Sequence, residues 1–117
     1  MDPVAEQLLR DTYRAFNDRD IDAVLESMHP DVDWPNAWEG GRVSGRAAVA
    51  AYWKRQFEQI SSRLEAVALD EEDDGAIAVT VRQLVSDAKS GELLSEATVT
   101  HRYRLRDGLV ARMDVLD

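Results

Sequence analysis

The stretch that decides the fold is TVTHRYRLRDGLVARMDVLD, residues 98–117. It predicts two strands joined at Asp107-Gly108, because Asp-Gly between alternating runs is typical of a tight hairpin whose central residues need positive φ. The first strand carries apolar residues and a histidine on one side, and basic and hydroxyl residues on the other. The first side carries Val99, His101, Tyr103 and Leu105. The other side carries Thr98, Thr100, Arg102, Arg104 and Arg106. In the second strand Ala111, Met113 and Val115 alternate with Arg112 and Asp114.

The composition is that of a folded globular protein. The 117 residues are 44% hydrophobic and 32% charged, which predicts one domain over residues 1–117 with a core of its own. No apolar run approaches the roughly 20 residues of a membrane-spanning helix, and the start, Met1-Asp2-Pro3, lacks the basic segment of a signal peptide. The chain has no cysteine, which excludes cysteine chemistry and fits a cytoplasmic protein.

The charge balance limits the partners and cofactors. A net charge of −9 argues against nucleic acid, whose recognition depends on a Lys/Arg surface, and against anionic membranes. The basic stripe at 102, 104 and 106 is interpreted as a solvated strand face or a contact between subunits. Two histidines and no cysteine argue against zinc, and the acidic run 70–75 lacks the spacing of a calcium loop. We expect no cofactor.

Helix and strand signals divide the chain into two halves. Asp2-Pro3 and Asp20 are typical helix starts, and His29-Pro30 ends the second helix, since the residue before proline disfavours the α conformation. After the third helix the hydrophobic period changes from 3.6 to 2. This order predicts an α+β fold, three N-terminal helices on a strongly curved, mainly antiparallel sheet. The predicted elements are helices over 3–17, 21–28 and 46–61, and strands over 32–34, 63–68, 76–85, 93–106 and 109–116.

Aromatic side chains mark two places that a ligand could contact. Trp38 lies in a glycine-rich loop over 36–45, where it would form the rim of a pocket or cover the core. The inner stripe of the third helix includes Tyr52, Trp53 and Phe57. Such a stripe is more often core than ligand site, so both interpretations stay open.

Three segments resemble the SnoaL-like branch of the nuclear transport factor 2-like superfamily, which includes the ketosteroid isomerases. They are YRAFNDRDIDAVLESMHPDVDW (13–34), VSGRAAVAAYW (43–53) and RDGLVARMDV (106–115). The resemblance implies a cone-shaped α+β half-barrel with a deep apolar pocket. It also implies homodimers that pair through the outer face of the sheet, which would carry Arg102 and Arg104. It says little about function, because this fold hosts isomerases, cyclases, dehydratases, epoxide hydrolases and plain binders.

The active-site residues that the resemblance implies for ketosteroid isomerases are mostly absent. Their aspartate base falls at Trp34, with Asp33 one place earlier. Their oxyanion tyrosine falls near Thr12, with Tyr13 adjacent. Their protonated aspartate falls at His101.

Two other branches of the superfamily are matched in part. The Asp-Arg-Asp set of limonene-epoxide-hydrolase-like enzymes falls near Arg82 and Asp114, with Leu84 in place of its middle acid. SnoaL-type cyclases are similar in using an acid or base within an apolar pocket, and His101 paired with an acid would resemble that arrangement.

His101 and Asp114 are the candidate catalytic residues. Histidine titrates near neutrality and can serve as a general acid or base, and Asp114 on the adjoining strand would orient it. The alternatives for His101 are a polar contact to a ligand and a structural histidine. Alternation sends Met113 and Val115 inward and exposes Asp114, whereas the resemblance places Asp114 in the pocket, and we follow the resemblance. The facing of Arg82 is ambiguous in the same way, since Val79, Val81 and Gln83 form the competing face of its strand.

Two functions follow. The first is binding of a small apolar or polycyclic molecule in an internal pocket, with cofactor-free acid–base catalysis left open. The alternative is a non-catalytic dimeric binding or assembly module with a filled cavity. An open cavity of roughly 300 Å³ or more that exposes His101 or Asp114 favours the first. The predicted ligand-binding residues are Tyr13, Phe16, Trp34, Trp38, Tyr52, Trp53, Phe57, Arg82 and Tyr103.

Overall fold

Three helices pack on one six-stranded sheet in the computed structural model, which describes residues 1–116. The sheet is curved and unclosed, with strand order β2-β1-β6-β5-β4-β3, and all neighbours are antiparallel except β1 and β6. The predicted α+β fold is confirmed. The elements are α1 Pro3–Asn17, α2 Ile21–Glu26, β1 Met28–Pro35, β2 Arg42–Ser44, α3 Arg46–Gln59, β3 Ile60–Glu71, β4 Ile77–Asp87, β5 Leu93–Arg106 and β6 Leu109–Leu116.

The hairpin of β5 and β6 turns where the sequence predicts. Asp107 and Gly108 have φ of 55° and 75°, so both central residues take the left-handed conformation that a two-residue type I′ turn requires. Beyond the turn the register shifts, because Ala111 has no partner between the pairs that Val110 and Arg112 make with β5. This bulge turns Val110 inward, where it is buried.

The first two helices begin at their predicted caps. The Asp2 carboxylate accepts a hydrogen bond from the Val4 N–H at 3.0 Å, and the Asp20 carboxylate accepts one from the Ala23 N–H at 3.3 Å. Each bond satisfies a backbone donor that the first turn leaves without a partner.

The segment after α2 differs from the expectation. The second helix ends at Glu26, and the expected strand over 32–34 extends over Met28–Pro35. It pairs in parallel with β6, and the Val110 N–H donates to the Ser27 carbonyl at 2.8 Å. The pairing partner lies about eighty residues away, so local patterning could not reveal it. The loop over 36–45 also contains a short strand, β2, that was not predicted.

The free edge of the sheet, β3, is covered by the end of α1. The Asn17 amide donates to the Leu64 carbonyl at 2.7 Å and accepts from the Leu64 N–H at 2.8 Å. Arg19 donates to the Ser62 carbonyl at 2.6 Å. These side chains occupy backbone groups that would otherwise be open to another strand.

The main core lies between the helices and the inner face of the sheet. Leu9, Met28, Val32, Val49 and Val79 are fully buried there. No helix in residues 1–116 is long and apolar enough to cross a membrane.

Candidate functional site

A cavity of about 240 Å³ lies between the three helices and the inner face of the sheet. Val24 and Tyr103 line its deep end and are 1% and 2% exposed, whereas Val115 lies at its mouth and is 40% exposed. The cavity is therefore open to solvent at one end. Seven predicted site residues line it, namely Tyr13, Phe16, Trp34, Tyr52, Trp53, His101 and Tyr103.

Aromatic rings form the apolar walls. The ring centroids of Trp34 and Trp53 lie 5.5 Å apart and nearly perpendicular, at 82°. Phe16 packs against Trp53 in a similar edge arrangement at 5.5 Å. Edge-to-face packing of this kind holds the rings in fixed orientations, so the apolar walls of the cavity have a defined shape.

Three polar side chains are joined by hydrogen bonds at the inner wall. The Tyr103 hydroxyl donates to the Tyr13 hydroxyl at 2.7 Å, and the Tyr13 hydroxyl lies 2.7 Å from Nδ1 of His101. The three residues come from α1 and β5, and the alternation of β5 places His101 and Tyr103 on the same face. We call this group the Tyr-Tyr-His relay.

The relay is neutral at pH 7. Burial lowers the pKa of His101 to about 4, so its imidazole carries no charge. Burial also raises the pKa of the Tyr13 and Tyr103 hydroxyls, so both keep their protons. Since Tyr103 donates to Tyr13, the Tyr13 proton is available for Nδ1, and the single proton of the neutral imidazole lies on Nε2.

The Nε2 atom of His101 is the free end of the relay. Among residues 1–116, Nε2 has no hydrogen-bond partner. Every fully buried side-chain nitrogen or oxygen of these residues does have a partner, so Nε2 is not fully buried. Nε2 is therefore accessible from the cavity that His101 lines. The relay presents a neutral N–H donor to whatever occupies the cavity.

The prediction that Asp114 faces the cavity and orients His101 is wrong. Met113 and Val115 line the cavity, and Asp114 lies between them on the outer face of β6. Its carboxylate pairs there with Arg112 at 2.9 Å and with Arg42 at 3.0 Å. The hydrogen bonds from Arg112 lower the pKa of Asp114. Plain alternation was the correct guide, because a carboxylate facing the apolar cavity would have no cation to offset its desolvation.

Arg82 also lies on the outer face, contrary to the prediction. It is exposed and pairs with Glu96, while its neighbour Gln83 lines the cavity. The inward set on β4 is Val79, Val81 and Gln83, so alternation again decides the facing.

Two predicted aromatic residues lie outside the cavity. Trp38 is 46% exposed and neither lines the cavity nor covers the core. Its backbone N–H donates to the Tyr52 hydroxyl at 3.2 Å, which fixes the loop beside the mouth. Phe57 packs against Phe16, and the Arg19 guanidinium lies 4.5 Å from its ring centroid. Neither side chain lines the cavity, and for Phe57 the reason is that the end of α3 faces α1 rather than the cavity.

Sequence reasoning missed four polar lining residues, Thr12, Gln56, Ser62 and Gln83. Alternation within β3 and β4 could have indicated Ser62 and Gln83, whose strand neighbours on the same face are apolar. No aspartate or glutamate of residues 1–116 lines the cavity. Nor do three metal-ligating side chains converge anywhere in this range.

Comparisons with solved structures find the same fold in other proteins. The protein TerC, co-crystallised with polyporic acid, is 25% identical and superposes with a TM-score of 0.83, covering 97% of this chain and 92% of that one. An NTF2-like protein from Burkholderia pseudomallei is 24% identical, with a TM-score of 0.85 and coverage of 99% and 92%. A Mycobacterium tuberculosis protein in complex with estradiol-17beta-hemisuccinate is 19% identical, with a TM-score of 0.80 and coverage of 96% and 92%.

The comparison with protein-family models agrees with the fold, whereas a search of individual proteins adds nothing to it. A search of curated proteins found no match. The family model of the SnoaL-like domain matches residues 9–113, which is most of the chain. By fold and by sequence, this chain belongs to the SnoaL-like domain family.

Proposed function

We propose that this protein binds a small, ring-containing apolar molecule that carries a carbonyl or ether oxygen. The observation that carries the proposal is an open apolar cavity whose inner wall presents the Nε2–H donor of His101. Apolar walls with a few placed polar groups are typical of small-molecule sites. TerC, which shares this fold, was co-crystallised with polyporic acid, and this supports a small-molecule ligand for the present chain.

The size of the cavity sets the size of the ligand. An apolar cavity of about 150 Å³ holds a benzene molecule, and this one measures about 240 Å³. It is smaller than the roughly 300 Å³ at the low end of drug-sized sites. We therefore propose a ligand of one or two rings rather than a larger polycyclic molecule.

Binding is favoured over proton abstraction by the chemistry of the lining. The neutral Nε2–H of His101 would polarise a carbonyl, and it would stabilise the oxyanion that develops in an isomerisation or cyclisation. The same imidazole is a weak base, because burial lowers its pKa to about 4. Since no lining residue among 1–116 is a carboxylate, the site polarises an oxygen more readily than it removes a proton from carbon.

The alternative, an assembly module with a filled cavity, has less support. Its cavity would be filled by its own aromatic side chains, whereas Trp34, Trp53 and Phe16 pack against each other around an open space. The cavity of about 240 Å³ is smaller than the roughly 300 Å³ expected from the sequence for a ligand site, but it is open and lined by His101, which fits a smaller ligand better than a filled module.

Ligand binding can be tested with a pair of tryptophan substitutions. We expect some one- and two-ring ketones, quinones or aryl ethers to raise the melting temperature, because a ligand that binds only the folded state stabilises it. Val115→Trp at the exposed mouth should abolish that rise. Val67→Trp is the matched control, since Val67 is 57% exposed on β3 and does not line the cavity. Failure of every compound, or equal stabilisation of both variants, would contradict the proposal.

We also propose that the chain forms a homodimer through the outer face of the sheet. Arginines on this face are paired within the chain, with Arg102 bound to Glu72 at 2.6 Å and Arg104 bound to Asp74 at 2.9 Å. A second copy could therefore cover the face without burying unpaired charge. Half-buried Thr100 lies near its centre, paired with Thr80 on β4.

Sedimentation equilibrium tests the dimer. The unmodified chain should have twice the mass of one chain, and Thr100→Glu should shift it to monomer, because each copy would bring a carboxylate to the interface. Ser90→Glu, in the exposed turn between β4 and β5, should leave the dimer intact. A monomeric unmodified chain at micromolar concentration would rule the dimer out.

A further inference from the structure

A second cavity opens beside the core, on the side of α1 that faces the edge of the sheet. It measures about 330 Å³ and lies between α1 and the edge strand β3. Three of the chain's twelve arginines line it, although the protein as a whole carries a net charge of −9. We call it the basic cleft and define it by Arg10, Arg14 and Arg63.

The arginines of the basic cleft are only weakly engaged by other side chains. Arg10 pairs with Glu6 and Arg14 with Asp11, each at 3.0 Å and each along the exposed side of α1. Exposed pairs of this kind contribute under about 1 kcal/mol, so a ligand can compete for both guanidiniums. Arg63 has no ion pair among residues 1–116.

One acid lines the basic cleft and is partly balanced by a cation. Glu65 lies directly opposite Arg82 in the pairing of β3 with β4, and its charge contributes to raising the pKa of Arg82. The lining side chains therefore carry three positive charges and one negative charge. The negative charge, on Glu65, has the Arg82 guanidinium beside it on the outer face.

The frame of the basic cleft is fixed before any ligand binds. Asn17 makes two hydrogen bonds to the backbone of Leu64 across its floor. Tyr13, which also lines it, is 5% exposed and belongs to the Tyr-Tyr-His relay. Because α1 and β3 are held together in this way, the three arginines border one opening before any ligand binds.

We propose that the basic cleft binds a small oxyanion, a carboxylate or a phosphate group. Guanidinium groups present planar donor pairs that match both groups, and the cleft has room for more than the anionic group alone. The proposal does not depend on what occupies the main cavity. Two sources of the oxyanion are conceivable, a free small anion or the acid group of a ligand whose rings lie in the main cavity, since Tyr13 and Leu64 border both.

The test is a titration of the full chain with inorganic phosphate at pH 7 and constant ionic strength, followed by NMR of the arginine Nε–Hε groups. We expect saturable shifts of Arg10, Arg14 and Arg63 with one shared dissociation constant of about 1–10 mM, as for few, solvent-exposed charge pairs. Arg63→Gln should weaken binding at least about fivefold, the loss of one charge-assisted contact. Arg106→Gln is the matched control and should change it less than about twofold, since Arg106 does not line the basic cleft and pairs instead with Asp31 on β1.

A second titration separates the two sources. 1-Naphthoate and 1-naphthol are compared on the unmodified chain and on Arg63→Gln. Weaker binding of naphthoate alone in the variant supports the acid group of a main-cavity ligand, whereas phosphate binding with no such difference supports a free anion. Shifts that do not saturate with either anion, or equal weakening by Arg63→Gln and Arg106→Gln, would overturn the proposal, because general screening would then explain them. These outcomes leave the test of the main cavity at Val115 unaffected.

Discussion

Acidification from pH 7 to pH 4 should destabilise the folded protein by about 3 kcal/mol through His101 alone. Burial lowers the pKa of this imidazole from 6.5 to about 4. Between these two values the unfolded chain binds a proton on His101 that the folded chain does not. The free energy of unfolding therefore falls as the pH falls through this window, and His101 contributes no pH dependence above it.

Urea denaturation at several pH values measures this effect. His101→Asn is the informative variant, because its amide oxygen can replace Nδ1 as the acceptor for Tyr13 while nothing in the side chain titrates. From pH 7 to pH 4 the unmodified protein should lose about 3 kcal/mol more unfolding free energy than His101→Asn does. Carboxylates with lowered pKa values, such as Asp114, affect both proteins equally and cancel. Parallel pH curves would show that His101 is not buried in its neutral form.

Tyr13→Phe should destabilise the protein by about 2–4 kcal/mol, the cost of leaving two buried polar groups without partners. The Tyr13 hydroxyl is the middle of the relay, bonded at 2.7 Å to both Tyr103 and His101. Its removal leaves the Tyr103 hydroxyl without an acceptor and Nδ1 of His101 without a donor. Tyr103 is 2% exposed and His101 is 5% exposed, so water does not readily replace the lost bonds.

The relay can be separated from ordinary packing by a double-mutant cycle. Tyr13→Phe and Tyr103→Phe together should cost less than the sum of the single changes, since removing both hydroxyls leaves fewer unsatisfied groups. Tyr52→Phe is the control, because its hydroxyl accepts the Trp38 N–H beside the mouth at 3.2 Å and is not bonded to Tyr13, Tyr103 or His101. It should cost about 1 kcal/mol. If the stability costs of Tyr13→Phe and Tyr103→Phe are strictly additive, the two hydroxyls are not coupled and the relay is contradicted.

Local signals were sufficient wherever a structure depends on neighbours in sequence. The helix caps at Asp2 and Asp20 lie where side-chain oxygens meet the first free N–H groups. The Asp107-Gly108 turn follows from the φ values that a two-residue hairpin needs. The alternation of β5 was enough to put His101 and Tyr103 on one inward face. Each of these rests on a few adjacent residues and their conformational preferences.

The wrong predictions for Asp114 and Arg82 have a different cause. Asp114 and Arg82 were assigned to the cavity by resemblance to relatives, although the apolar residues beside them pointed inward. A family pattern carries the fold but not the facing of each polar side chain, which depends on where its charge is offset. Asp114 finds two guanidiniums on the outer face, from Arg112 on its own strand and Arg42 on distant β2.

By itself the sequence determined the class of fold, the order of the long strands and the inward placement of His101, because hydrophobic period and turn chemistry are local. Only the tertiary structure decided the parallel pairing of β1 with β6 and the contact of Tyr13 with His101, which join residues about eighty positions or more apart. It also decided the neutral state of His101, since burial by three helices and the sheet lowers its pKa. Residues 98–117 supply the histidine, and distant α1 supplies the tyrosine that makes it a fixed donor.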